Sequence, residues 1–354
     1  EKFDLEVAKL LIENDNCNNK PKKIKKYKKN LIKKIDLKKK NILITAPITF
    51  FNRSIKNLNK KFNCIFLEKP NKELLIKNLK LIDGWICQPS PEYIIDQNIL
   101  KHAPKLKIIS TPSTGITHID QKYCKKNKVK IRPITVSREF KDIKASSEFT
   151  FLLCLLGFKN LIKAVKKVKS GYWRNIEETI RGNEVIGKSI GIFGQGRIGS
   201  NLSKYFESMG AKVRFYDVKN TKDLKIKNLI LEKSDMIVMC ISYNKKNYNY
   251  VNSNFFSKMK KNSIFVNTSR GEILDETSLL RALRSKKIRL ALLDVLKNEQ
   301  TSNIRNKLIQ YSKYNDNLII TPHMAGLTYE SESKAFTIAS SNIHNYFLNE
   351  KKSN

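Results

Sequence analysis

Six consecutive residues, Gly194-Gln195-Gly196-Arg197-Ile198-Gly199, constrain this chain more than any other feature. They follow directly on an apolar run, Ser189-Ile190-Gly191-Ile192-Phe193, suited to a buried parallel strand. After them, Asn201 to Met209 carries apolar residues at helical spacing, and Gly210 stands where a helix ends. A second strand, Lys212 to Tyr216, then terminates on Asp217. Strand, glycine loop, helix, strand and acid come in the order that a dinucleotide-binding βαβ unit requires. In such a unit Gly194 allows the tight turn, Gly196 lets the backbone approach a pyrophosphate, and Gly199 lets helix and strand pack closely. The helix N-terminus offers free N–H groups to the phosphates. Asp217 falls about 20 residues beyond the motif, where an acid bonds the ribose hydroxyls. Its charge repels a 2′-phosphate, which favours NAD over NADP, while Lys219 and Lys222 lie close enough to weaken that preference. Arg197 reads equally well as a phosphate contact or as a solvated side chain.

Three polar residues downstream follow strand-like runs or their exits. Arg270 comes after Ser263-Ile264-Phe265-Val266-Asn267 and is followed by Gly271. His323 comes after Leu318-Ile319-Ile320-Thr321. Glu299 and Asp294 lie beyond Ile288 to Leu293. Ligands in open parallel sheets bind at the C-terminal ends of strands. A cation, a carboxylate and an imidazole gathered there suit hydride transfer to a 2-keto acid. The guanidinium fork binds carboxylate oxygens, and the imidazole protonates the alkoxide that forms. A carboxylate beside the imidazole favours its charged form and keeps a proton available. Taken singly, each has a plainer reading: a loop arginine, a packed histidine, a solvated acid. His118, one of 4 histidines in the chain, lies in a different loop.

With these residues in place, the chain resembles the D-isomer-specific 2-hydroxyacid dehydrogenases, across about residues 41 to 350. Their phosphoglycerate dehydrogenase and glyoxylate/hydroxypyruvate reductase branches are the nearest in pattern. Gly187-Lys188-Ser189-Ile190-Gly191-Ile192 leads into the glycine loop as in that family. Asn267 to Glu276 resembles the family's arginine motif, which implies that Arg270 binds substrate. Asp294-Val295 followed by Glu299 resembles the segment carrying a nicotinamide-contacting aspartate and the catalytic glutamate. Thr321-Pro322-His323 resembles the segment with the acid/base histidine. Ser113-Thr114-Gly115 opens a stretch similar to the loop whose backbone amides hold the substrate carboxylate. The resemblance thus implies Arg270, Glu299 and His323 as catalytic residues. It implies Gly194, Gly196, Arg197, Ile198, Gly199, Asp217 and Asp294 around NAD, and Ser113, Thr114, Gly115 and Arg270 around a 2-hydroxy or 2-keto acid.

Some positions depart from the family. Gln300 stands where proline usually follows the glutamate, which loosens that loop. The loop from Pro133 to Ser147 is a few residues longer than usual. Gln88-Pro89-Ser90 replaces the arginines that phosphoglycerate dehydrogenases tend to carry, which argues against a phosphorylated substrate. A second function compatible with the motifs is a non-enzymatic NADH-sensing binder, like the C-terminal-binding-protein corepressors. Formate dehydrogenases share the fold, but glutamine partners their histidine, and Glu299 argues against them.

The 354 residues suffice for two domains. The fold expected is α/β, with two Rossmann-like, doubly wound parallel domains and a discontinuous substrate domain. Residues 41–145 and 325–354 form the substrate domain, 146–324 the NAD domain, and 1–40 a basic extension. The discontinuity, and a substrate cleft between the domains, come from the resemblance. A helix is expected from Ser147 to about Lys169, and a final one from about Glu330 to Leu348. The 6 dispersed cysteines form no C-x-x-C pair or metal-ligand cluster and suit a reduced, cytoplasmic protein. The net charge of +37 is read as lysine spread over solvated faces, because no nucleic-acid motif accompanies it. From Lys20 to Lys40 lysine outnumbers all other residue types combined, the pattern of a solvated arm without signal-peptide or transit-peptide character. No apolar run is long enough to span a membrane. A homodimer is expected from the family.

Overall fold

The computed structural model describes residues 36, 38–47, 52–89, 91–220, 222–299 and 305–353. Residues 1–35 of the basic extension, together with Ser90 and Gln300, lie outside the described residues. The chain divides into two compact units. The first runs up to Ile143 and resumes at Tyr329; the second is Lys144–Thr328. Among the described residues no helix is long and apolar enough to cross a membrane.

The first unit is a five-stranded sheet of β1 (Asn41–Ile44), β2 (Asn63–Phe66), β3 (Gly84–Ile86), β4 (Ile108–Thr111) and β5 (Lys130–Pro133), in the order β2-β1-β3-β4-β5. Every pairing is parallel. β1 and β3 read as largely apolar runs because both their faces are covered. Leu43, Trp85 and Ile109 pack to one side. Ile42, Ile44, Ile86 and Ile108 pack to the other, against Phe336, Ala339, Ile343 and Phe347 of the Tyr329–Ser353 helix. That helix is longer than the expected span at both ends. Pro133 ends edge strand β5, a position where no ladder N–H is needed. The long loop after it is not irregular: it forms two short 3₁₀ turns, Ile134–Val136 and Arg138–Asp142.

The second unit holds β6 (Ser189–Phe193), β7 (Lys212–Tyr216), β8 (Met236–Met239), β9 (Ser263–Asn267), β10 (Ile288–Leu293) and β11 (Leu318–Ile320). Their order is β11-β10-β9-β8-β6-β7, again all parallel. Strand residues alternate between two cores, except at the start of β10, where the register shifts between Ile288 and Leu290. Phe193, Ile237, Met239, Phe265 and Leu293 fill one, and Ile192, Met236, Val238, Ile264, Val266 and Leu292 the other. Chain order reverses between β6 and β8, the switch point where ligands of doubly wound sheets bind.

The single helix expected from Ser147 is two helices, Ala145–Lys159 and Leu161–Lys169. Asn160 between them has φ 49°, a left-handed residue that ends the first. Its side-chain amide donates to the Arg181 carbonyl at 2.7 Å, which fixes the break.

Candidate active site

The glycine loop begins where β6 leaves the sheet. Gly194 has φ +104°, and a Cβ there would lie 2.7 Å from the Cys240 carbonyl oxygen. A Cβ on Gly199 would meet the Gly194 carbonyl oxygen at 2.1 Å, so the Arg197–Ser208 helix starts directly on the loop. Gly196 differs: a Cβ there would have nothing within 4 Å. It faces open space at the N-terminus of a 12-residue helix that lacks a side-chain cap. Such an N-terminus, with its N–H groups unsatisfied within the helix, is an anion cradle. Asp217 is engaged from the backbone: its Oδ2 accepts from Gln195 N at 2.7 Å and its Oδ1 from Lys219 N at 2.9 Å. The Asn220 amide donates to Gln195 Oε1 at 2.7 Å. Arg197 and Ile198 are half-buried; Ile198 packs onto the sheet, and burial pushes the Arg197 guanidinium below its ordinary pKa. An open cradle, with an acid at the end of the neighbouring strand, fits the pyrophosphate and ribose of a dinucleotide.

On the other side of the switch point, β9 ends on Asn267, which is fully buried. Its Oδ1 accepts from Ser269 N at 3.0 Å and Oγ at 2.8 Å, and its amide donates to the Arg270 carbonyl at 3.0 Å. This sews the turn that presents Arg270, whose Nη1 donates to the Ser269 carbonyl at 2.6 Å. The next residue must be glycine, since a Cβ on Gly271 would fall 2.0 Å from the Leu296 carbonyl oxygen. The arginine turn is therefore pressed against the segment that leads to Glu299.

Glu299 Oε1 accepts from Leu296 N at 2.8 Å, and its Oε2 lies 2.5 Å from His323 Nδ1. A carboxylate only accepts, so Nδ1 is the donor and Nε2 is the nitrogen left for chemistry. The two side chains are 32% and 37% exposed, open enough to meet a ligand. His323 has φ 52°, a left-handed conformation costly for a residue with a Cβ. Asp294 supports it. This carboxylate, 1% exposed, accepts from Thr321 Oγ1 at 2.5 Å, Met324 N at 2.9 Å and Ala325 N at 2.9 Å. It thus clamps the chain on both sides of the histidine.

In the first unit, Ser113, Thr114 and Gly115 follow β4. Ser113 Oγ donates to the Gly115 carbonyl at 2.7 Å and pairs with Thr111 Oγ1 at 2.9 Å. Ile134 N donates to the Ser113 carbonyl at 3.1 Å. His118 is buried, with Nε2 3.7 Å from Cys87 Sγ, and reads as a packing residue.

Comparison with known proteins gives the family. Residues 151–325 match the family described as D-isomer specific 2-hydroxyacid dehydrogenase, NAD binding domain. A glyoxylate reductase of Thermofilum pendens is 30% identical over 287 residues, 77% of this chain and 81% of the relative. The chain belongs to the D-isomer-specific 2-hydroxyacid dehydrogenase family. A hydroxypyruvate reductase of Thermotoga maritima is 27% identical over 78% of this chain and 89% of its own. Among solved structures, D-lactate dehydrogenase of Aquifex aeolicus, complexed with NAD and lactic acid, superposes with a TM-score of 0.72 at 25% identity, covering 88% and 96% of the two chains. This family member is an oxidoreductase of the 2-keto acid class, and its cofactor is NAD.

One feature of the first unit escaped sequence reading. Thr45, fully buried at the end of β1, accepts from Trp85 Nε1 at 3.0 Å and from Gln88 N at 3.1 Å. It thereby anchors the loop that begins at Gln88. The only sequence signal was a threonine at a strand exit. In the second unit, Asp294 also holds the His323 turn with both its oxygens. The strand exit marked this acid, but nothing in the spacing disclosed its partners.

Proposed function

We propose that this oxidoreductase interconverts a small, unphosphorylated 2-keto acid and its D-2-hydroxy acid. The single observation that carries the reading is the 2.5 Å pair of His323 Nδ1 and Glu299 Oε2, at the strand ends that also bear Arg270. Bound NADH supplies the hydride that reaches the keto carbon. Arg270 holds the substrate's carboxylate and polarised carbonyl with its planar fork. As the carbonyl oxygen gains charge, His323 Nε2 delivers a proton to it, and Glu299 stabilises the imidazolium before transfer. Asp294 keeps the His323 turn in its strained conformation. For Ser113, Thr114 and Gly115 the proposed role is backbone donation to the substrate carboxylate. Gly194, Gly196, Arg197, Ile198 and Gly199 take the pyrophosphate.

Asp217 selects NADH over NADPH, and Asp217→Ala is expected to shrink that preference by about 1–3 kcal/mol in a binding titration. The test of the reaction is a panel of 2-keto acids with NADH, followed by chiral analysis of the product. Turnover of pyruvate-sized acids to the D product supports the reading; no turnover of any 2-keto acid overturns it.

The enzyme is proposed to act as a homodimer in the cytoplasm, where its dispersed thiols stay reduced. Support for the dimer comes from the Leu161–Lys169 helix, whose Leu161, Val165 and Val168 share one face and are 51%, 46% and 48% exposed. Trp173, just beyond, is 74% exposed. A dimer by sedimentation that becomes a monomer on Val165→Glu is the expected result.

A further inference from the structure

In a parallel sheet every strand begins at the edge opposite the ligand site. In the second unit that far edge is formed by the starts of β6, β8, β9 and β10, and it holds a hollow of about 230 Å³. Four cations line it, Lys188, Lys260, Lys261 and Arg289, against one carboxylate, Asp235. That carboxylate is already engaged. Its Oδ2 accepts from Ser189 N at 2.9 Å and its Oδ1 from Lys260 Nζ at 2.6 Å. Burial pushes its pKa up, but Lys260 and the Ser189 N–H outweigh that and hold it below the usual carboxylate range. Asp235 and Lys260 therefore neutralise each other, which leaves Lys188, Lys261 and Arg289 around the same space.

Arg289 is the decisive member. It is half-buried, and its Nη2 donates to a backbone carbonyl, that of Gly157, at 3.2 Å. Burial without a carboxylate at the guanidinium pushes its pKa down. A half-buried charge of this kind favours a nearby anion. The wall beside it is rigid. Asn262 holds a left-handed turn with φ 62°, and its N–H donates to the Lys287 carbonyl at 3.0 Å, which fixes where neighbouring Lys261 leaves the chain. At about 30 Å³ per water, the hollow has room for several waters or one small anion.

We infer that this hollow is a second anion site, distinct from the glycine loop, that takes a small dianionic phosphate. The planar fork of Arg289 suits two phosphate oxygens at once, and Lys188 and Lys261 add point charges. The inference does not depend on the proposed reaction, because its readout is binding and not turnover.

The test uses the full chain with saturating NADH, so that the glycine loop is occupied and cannot report phosphate. Inorganic phosphate and glycerol 3-phosphate are titrated separately by calorimetry at constant ionic strength. One saturable site per chain is expected, weakened about tenfold or more by Arg289→Gln and by Lys261→Gln, with NADH affinity unchanged. Tighter binding of glycerol 3-phosphate identifies a phosphate monoester as the occupant, and tighter binding of inorganic phosphate identifies the free ion. Should Arg289→Gln not fold, Lys261→Gln and Lys188→Gln carry the same readout. Unsaturable binding, or saturable binding that none of the variants alters, overturns the inference. The first outcome would mean diffuse attraction to a chain of net charge +37, and the second a site elsewhere on the chain.

Discussion

The two units share a parallel plan, with the first strand of each between the second and the third, yet their strand ends are chemically unlike. In the second unit the C-terminal ends carry charge: Asp217, Arg270, Asp294, Glu299 and His323. In the first they carry hydroxyls and amides. Thr45 accepts from Trp85 and Gln88, Thr111 pairs with Ser113, and Ser113 reaches Gly115. The charged ends are held by backbone N–H groups, as Asp294 is by Met324 and Ala325. The neutral ends are held by hydroxyls, Thr45 bridging two strand exits and Thr111 and Ser113 folding one back on itself. A hydroxyl network sets loop shape without altering local charge, whereas the charged set brings together the imidazole and the cation that the proposed reaction uses. The same architecture thus serves two tasks according to which side chains end the strands.

The sharpest way to break this comparison is to remove the proton donor. His323→Ala is expected to lower the single-turnover rate by about 10²–10⁴-fold, the usual worth of general acid catalysis, with NADH affinity intact. An unchanged rate would take His323 out of the chemistry. Next comes the neutral side. Thr45→Val strips the acceptor from Trp85 Nε1 and Gln88 N and is expected to cost about 1–3 kcal/mol in denaturant unfolding. Equal loss of kcat and of NADH affinity in that variant would show that the hydroxyl ends do more than shape a loop. Arg270→Lys keeps the charge and loses the fork. There kcat/KM is expected to fall about tenfold, or about 1.4 kcal/mol, through both KM and kcat, without change in cofactor affinity.

The effect that is invisible near neutral pH is a pH dependence in the first unit. Burial pushes the Cys87 thiol from an ordinary 9.0 up to about 12, with its Thr111 hydrogen bond opposing. A raised pKa means that the folded state binds this proton more tightly than the unfolded state. The contribution is therefore fully present below pH 9, and is lost as pH rises toward 12, at on the order of 1 kcal/mol per unit. A wild-type melting curve that falls more steeply above pH 9 than that of Cys87→Ala is the expected observation.

Local pattern made much of this legible. The glycine loop, its flanking strands and Asp217 were readable because they are contiguous and each obeys a short-range rule. Glu299 and His323 were read as partners from two strand exits, and the structure brings Nδ1 and Oε2 to 2.5 Å. The break at Asn160 was not readable, because both halves have helical spacing and the stop depends on a distant carbonyl, that of Arg181. Thr45 was missed for a similar reason: its two donors come from another strand and the loop beyond it.

By itself, the sequence determined where the site-bearing strands lie, which residues end them, and that the chain takes up a dinucleotide, since all of these follow from spacing along one segment. Tertiary structure alone decided the order of strands in each sheet, the pressing of Gly271 against Leu296, and the work of Asp294 as the clamp of the His323 turn. It also decided the gathering of Lys188, Lys261 and Arg289 around one hollow. Hydrogen bonds and charges act through space over a few ångströms, and only packing chooses which distant residues come within that reach.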